Sequence, residues 1–521
     1  MSALHHTIPS ALRAAAARFA AQDALRFVDR TISFAELDAK SDCLAQQLLV
    51  NGLAPGERVG LYCPNSEAFV VIYCAILKAG GVVVPLNLLH HPEELAYICA
   101  DAGICGLFYH PVFAAQVAAF APGLEGLRFQ IAIDESPDGP SDWRDLLDPG
   151  QAPDTLPYPD IASSDMAVIL YTSGTTGRAK GAVLSHANLL ANTSSVFRVL
   201  KLHPGQDCLL VVLPMFHAFA ATVGLLTPLL HGLALAPVPR FEPQLVTDVV
   251  EATRSSIFLG VPSMYNLLVR LPAEQIARWR GVRFGVAGGA AMPVELLRRF
   301  EAAYGFPVLE GDGPTECGPV TCVNPLDGVR KPGSVGLEIP DVAISIRDDK
   351  GQELVPGQIG ELCVRGPNVM QGYWNLPEAS AEVFFGDWLR TGDLGYKDED
   401  GYIFMVDRIK DMIIVNGMNV YPRMIEEVLF AHPQVQEVAV VGEPHLSHGE
   451  IPVAHVVPVD GSALDVHALR EHCLAHLGSY QMPRKFIIRD TALPKNAAGK
   501  VLKRELRRAG ELERGIDTLA G

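Results

Sequence analysis

The run Tyr171-Thr172-Ser173-Gly174-Thr175-Thr176-Gly177-Arg178-Ala179-Lys180-Gly181 is the densest group of chemically useful residues in the 521-residue chain. An apolar, strand-like stretch, Met166–Tyr171, leads straight into it. Glycines let backbone N–H groups approach a phosphate closely, Ser and Thr hydroxyls add neutral donors, and Lys180 adds a mobile positive charge. The pattern of a Walker A loop occurs nowhere in the chain, so any phosphate cradle here is of another kind. Other chemistry-bearing groups are spread along the sequence. Thr315-Glu316, taken alone, reads as a helix N-cap and first-turn acid, although Glu316 is also a hard oxygen ligand. Asp393 follows a Thr-Gly step, where it could form an Asx turn or accept hydrogen bonds from two hydroxyls. Lys500 lies in a Gly-containing loop of a basic tail with Lys495, Lys503, Arg504, Arg507 and Arg508, which suits a solvated charged face or a mobile point charge.

Taken together and in order, these segments resemble the signatures of the adenylate-forming superfamily, which includes acyl-CoA synthetases, aryl-CoA ligases, luciferases and peptide-synthetase adenylation domains. The matches are the Tyr171–Gly181 run, Gly313-Pro314-Thr315-Glu316, Arg390-Thr391-Gly392-Asp393, Asp407-Arg408-Ile409-Lys410-Asp411, Asn416-Gly417-Met418-Asn419-Val420-Tyr421-Pro422 and Pro494-Lys495-Asn496-Ala497-Ala498-Gly499-Lys500. The resemblance implies an ATP-, Mg²⁺- and coenzyme A-dependent acid–thiol ligase, closest to fatty acyl-CoA synthetases, that forms an acyl-adenylate and then a thioester. It implies ATP contacts at Thr172, Ser173, Gly174, Thr175, Thr176, Gly177, Lys180, Gly311, Asp312, Gly313, Thr315, Asp393 and Arg408. It further implies Glu316 and Thr172 as metal ligands, Lys500 as the lysine that meets the carboxylate and α-phosphate oxygens, Lys410 as a hinge, and Gly417 in a loop lining the pantetheine tunnel after a domain rotation. With Thr172, Glu316 and Lys500, His217 completes the implied catalytic set.

One position departs from the family. Asp312 stands where relatives usually carry an aromatic ring that packs on adenine, so a carboxylate able to accept from the adenine amino group replaces a stacking face. On the acyl side the resemblance points to His217 and the residues after it, and to the turn containing Gly288, Gly289 and Ala290. The segment Ala218–Leu226 carries no charge, so the aspartate that an amino-acid ammonium would need is missing. An apolar lining favours a medium- or long-chain fatty acid, with an aryl acid or a carrier-protein phosphopantetheine acceptor as alternatives.

The elements that must position these groups follow from the hydrophobic pattern. Helical stretches such as Ser66–Ala79 and Pro293–Tyr304 alternate with short β-rich runs such as Val82–Pro85 and Phe284–Ala287, which predicts an α/β architecture. A β-rich subdomain is expected from near Ile339. A compact, mobile α+β tail is expected with a strand at Glu437–Val441, a helix at Ala463–Leu477 and a strand at Lys485–Arg489. The expected division is 1–408, binding ATP and acid, and 409–521, carrying the lysine. The Pro-, Asp- and Gly-rich stretch Asp134–Asp160 reads as a surface loop. Hydrophobic residues at 49% and charged residues at 19% give a globular balance, and a net charge of −17 argues against nucleic-acid binding. Ten scattered cysteines without a C-x-x-C pair read as free thiols of a cytoplasmic protein. No stretch reads as a membrane span, and a homodimer is compatible with the chain.

Overall fold

A computed structural model describes residues 6–133, 157–172, 178–445, 447–459, 462, 464–496 and 499–507. The expected loop therefore falls largely outside the described residues, as do Ala463 and Arg508. Four sheets organise the described chain. In the first, six parallel strands run in the order Val308–Asp312, Phe284–Ala287, Ile257–Gly260, Cys208–Val211, Ala234–Pro237 and Asp23–Arg26. A second sheet places Met166–Thr172 beside Val82–Pro85, Arg58–Tyr62, Ile104–Tyr109 and Phe129–Ala132, all parallel. These strands are short and almost wholly apolar because helices cover both faces, which is the condition under which parallel sheets are stable.

The helix Glu67–Lys78 shows why the pattern folds this way. Ser66 caps it, its Oγ accepting from the Phe69 N–H at 3.2 Å. Residues Ala68–Lys78 are all buried, as expected for a helix apolar on every side. Burying each large aliphatic side chain there contributes roughly 1.5–3 kcal/mol. Lys78 is tolerated because its ammonium meets Asp38 at 2.5 Å and Asp42 at 3.0 Å. All ten cysteines are buried free thiols.

The β-rich subdomain begins as expected. Ala343–Arg347, Gly360–Arg365, Trp388–Lys397, Phe384–Phe385 and Ile403–Arg408 form an antiparallel sheet. Beyond it, Ile413–Val415, Met418–Val420, Val435–His445, Gly449–Pro458 and Lys485–Ile488 form a separate five-stranded sheet covered by the helices Pro422–Phe430 and Val466–His476. The strand Val435–His445 is longer than expected because its eleven residues pair with Gly449–Pro458 along nearly their whole length. The helix begins later than expected, at Val466, where the Asp465 side chain accepts from the His467 N–H. No helix among the described residues is long and apolar enough to cross a membrane.

Candidate active site

The strands Met166–Thr172 and Lys180–Ser185 pair antiparallel with Thr172 opposite Lys180, so the Ser/Thr/Gly run is the connection of a hairpin. Thr172 Oγ1 donates to the Lys180 carbonyl at 3.5 Å across its mouth. Ser173, Gly174, Thr175, Thr176 and Gly177 lie outside the described residues. Lys180 Nζ sits 5.1 Å from the centre of the Tyr373 ring, a cation–π distance. The Tyr373 hydroxyl donates to Glu316 Oε1 at 2.9 Å, and burial and the Glu316 charge keep that phenol protonated. The strand Gly372–Tyr373 pairs with the far side of Lys180–Ser185. Three segments distant in sequence thereby bring a lysine, a phenol and a carboxylate together.

Glu316 does not start a helix as Thr315-Glu316 alone suggested. Thr315–Cys317 is a single 3₁₀ turn with Pro314 at its N-cap. The turn is fixed from outside: Met370 N–H donates to the Glu316 carbonyl at 2.8 Å, and the Asn368 amide donates to the Cys317 carbonyl at 2.7 Å. At Gly313 a Cβ would lie 1.9 Å from the Pro319 carbonyl oxygen, so no other residue fits there. Among the described residues no group of three or more His, Cys, Asp and Glu side chains could hold a metal ion. One carboxylate beside a phosphate cradle nevertheless fits Mg²⁺, which usually takes one or two protein ligands and fills its shell with phosphate and water.

A second cluster joins the β-rich sheet to Asp312 and His217 of the preceding chain and to Lys500 near its C-terminal end. Asp393 is a strand residue directly opposite Arg408, and their side chains meet at 2.9 Å. It is therefore not the head of an Asx turn. Its N–H donates to Thr391 Oγ1 at 3.1 Å, while buried Glu361 accepts from Gly392 N–H and Arg390 Nε. Asp312 ends the strand Val308–Asp312. Burial and the Asp393 charge push its carboxyl up to about 6, against the pull of Arg408 and Lys500. Burial and the Arg408 charge bring the Lys500 amine down to about 8, and Asp393 and Asp312 oppose them. His217 is held down at about 4 by burial and by Lys500, so its imidazole is neutral. Its Nδ1 accepts from the Phe219 N–H at 3.4 Å, which assigns the ring proton to Nε2.

Asp312, Asp393, Arg408 and Lys500 thus act on one another in one buried site, and Lys500 acts on His217. Lys500 reaches it on a turn closed by Asn496 N–H to the Lys500 carbonyl and Lys500 N–H to Asn496 Oδ1, both 2.9 Å. Gly499, at φ +78°, packs so tightly that a Cβ would come within 2.8 Å of Ser263 and Val261. Lys410 lies in the 3₁₀ turn Ile409–Asp411, its amine lowered by burial and Arg408. Gly417 stands apart from the cluster, at the exposed tip of the hairpin Ile413–Val420 with φ +79°.

On the acyl side, Ala220–Leu226 is a buried π-helical turn, a form often found at functional sites. A Cβ on Gly288 would lie 3.2 Å from the Phe219 ring and 3.5 Å from the Gly311 carbonyl, so the acyl-side turn, this segment and the nucleotide-side strand end touch. Gly289 takes φ +76°, and Ala290 is partly exposed beside it. Sequence reasoning missed Tyr373 and Asn368. Neither sits in a motif, and only strand pairing brings them to Glu316.

The chain matches the family model described as AMP-binding enzyme over residues 12–374, and that of the AMP-binding enzyme C-terminal domain over 424–500. It is 36% identical over 524 residues to the long-chain-fatty-acid–CoA ligase of Salmonella typhimurium, covering 95% of this chain and 92% of that protein. It is equally 36% identical over 490 residues to the feruloyl-CoA synthase of an Amycolatopsis species, covering 93% and 95%. Among solved structures, the anthranilate CoA ligase AuaEII in complex with anthranoyl-AMP superposes with a TM-score of 0.92 at 27% identity over 99% of each chain.

Proposed function

The chain belongs to the AMP-binding enzyme family and is an AMP-forming acyl-CoA ligase using ATP, Mg²⁺ and coenzyme A, and we propose that its acid is a medium- or long-chain fatty acid. The observation that carries this reading is the buried run Ala220–Leu226, apolar but for Thr222, whose carbonyl accepts from the Thr227 hydroxyl. The Salmonella relative, named for long-chain fatty acids, supports it. A compact aromatic acid is the second reading, supported by the Phe219 ring against Gly288 and by the feruloyl-CoA relative.

In the first half-reaction a carboxylate oxygen attacks the α-phosphorus and the bond to pyrophosphate breaks. Lys180 and the hydroxyl-rich hairpin hold the β- and γ-phosphates, and Asp393 accepts from the ribose hydroxyls while Arg408 steadies it. Lys500, positively charged below about pH 8, draws the carboxylate and the α-phosphate oxygens together. Glu316 and Thr172 would hold Mg²⁺, which when bound would neutralise triphosphate charge. His217, neutral and donating through Nε2, faces the acyl group. The second half-reaction follows a turn about Lys410 that withdraws Lys500 and brings Gly417 to the thiol. The thiolate sulfur then attacks the acyl carbon and AMP leaves. Ten buried free thiols support a reducing compartment such as the cytoplasm.

The test is pyrophosphate release from Mg-ATP across fatty, aryl, dicarboxylic and amino acids, with mass detection of acyl-AMP and acyl-CoA. Release with C8–C18 fatty acids and a CoA thioester is the expected result. Turnover confined to aryl acids overturns the fatty-acid reading. Acyl-AMP that never reaches CoA makes a carrier-protein phosphopantetheine the acceptor.

A further inference from the structure

A buried charge cluster outside the nucleotide contacts joins the C-terminal part of the chain to the acyl-side turn. Glu310, in the strand Val308–Asp312, is 2% exposed. Its Oε1 accepts from the Met292 N–H at 2.9 Å, and its Oε2 is buried without a hydrogen-bond partner. Glu427, on the helix Pro422–Phe430, places Oε2 at 3.5 Å from the Val294 N–H. Val294 opens the helix Val294–Tyr304, whose N-cap, Pro293, supplies no side-chain cap. Two carboxylates distant from each other in sequence therefore hold N–H groups of one turn, the turn that carries Gly288, Gly289 and Ala290.

Arg423 is the countercharge to both. Burial raises Glu310 to about 7 and also raises Glu427, while Arg423 pulls each down. The other charges acting on them are Glu427 and Asp312 at Glu310, and Glu426 at Glu427. Arg423 is anchored next to the proposed hinge: its N–H donates to Asp407 Oδ2 at 2.9 Å and its guanidinium to the Met405 carbonyl at 2.8 Å. A buried carboxylate that loses its only countercharge is strongly disfavoured.

We propose that Glu427 and Arg423 are positioning residues through which the C-terminal domain sets the acyl-side turn. With Lys500 in the cleft, Glu427 caps the helix Val294–Tyr304, Arg423 neutralises Glu310, and the turn is held for adenylation. With that domain turned away, the Glu427 contact to Val294 and the Arg423 countercharge are lost and the turn is freed. The inference rests on the two-orientation reading above.

Full-length Glu427→Ala, Glu427→Gln and Arg423→Gln are compared in two assays: acid-dependent pyrophosphate release, and thioester formation from supplied acyl-AMP and CoA. Glu427→Ala and Arg423→Gln are expected to slow the first about tenfold and raise the KM for the acid, with the second within about twofold of wild type, the scale of one charge-assisted hydrogen bond. Glu427→Gln keeps an acceptor for Val294 and a similar shape, and recovers most of the loss. Equal losses in both assays, the mark of a merely structural role, or no loss in either, overturn the proposal. Failure of the two-orientation reading shows separately, as loss of both half-reactions on substituting Lys500.

Discussion

Lys500 and Asp312 are two site residues whose chemistry is changed by their surroundings. Burial and Arg408 disfavour the Lys500 ammonium, so the charged form is present below about pH 8 and lost as pH rises through it. The kcat/KM for ATP of the free enzyme should fall along that limb. Lys500→Ala should reduce acyl-AMP formation by about 10² or more, as when one donor to a developing anion is removed, and still convert supplied acyl-AMP with CoA. Single-turnover assays of each half-reaction check this, and loss of the second step would show that the lysine is not specific to adenylation. At Asp312 the resemblance implies an aromatic ring on adenine, and the carboxylate that stands there instead, formed above about pH 6, is proposed to accept from the 6-amino group. Asp312→Ala should raise the KM for ATP severalfold and leave that for inosine triphosphate, which lacks the amino group, near wild type. Unchanged ATP affinity in both Asp312→Ala and Asp312→Asn would remove that role.

At the scale of elements, the strand Met166–Thr172 leading into the Ser/Thr/Gly run was legible from its apolar residues, while its antiparallel return along Lys180–Ser185 came only from the structure. The turn around Glu316 was not legible. Thr-Glu is a common helix start, but here Asn368, Met370 and Tyr373 complete the hydrogen bonding of a single 3₁₀ turn from a neighbouring segment. The Thr391-Gly392 step likewise looked like a local turn. The strand partner Ile403–Arg408 claims Asp393 instead, and the geometry that results is an ion pair across the ladder. In each case a distant partner outweighs a weak local preference.

For the whole molecule the question is how one small domain serves two half-reactions. The packing of Gly499 against Val261 and Ser263 holds Lys500 in the cleft, while Gly417 stands exposed at its hairpin tip. In the proposed mechanism that arrangement serves adenylation, and the thiol step takes place in a second orientation. Lys410 lies in a 3₁₀ turn whose φ range proline shares, so Lys410→Pro should be tolerated in the arrangement described and resist the change of dihedrals at the hinge. The expected outcome is near-normal pyrophosphate release with slow thioester formation. Equal loss of both half-reactions would show that the turn is not the hinge.

The sequence by itself determined the reaction class through the ordered resemblance of its motifs to the adenylate-forming superfamily, although Glu316, Asp393 and Lys500 taken singly each allow a plain local reading. It also determined the alternation of helices and strands, because burial of both sheet faces is written in runs such as Val82–Pro85. Only the tertiary structure decided which groups act on one another. Asp312, Asp393, Arg408 and Lys500 span nearly two hundred residues, and the raised Asp312 carboxyl and lowered Lys500 amine arise from burial among these charges, which no local pattern encodes. The Glu310–Arg423–Glu427 cluster is the extreme case. Each member looks like an ordinary surface charge in the sequence, and only burial in the folded chain raises the Glu310 and Glu427 carboxyls and makes them depend on Arg423.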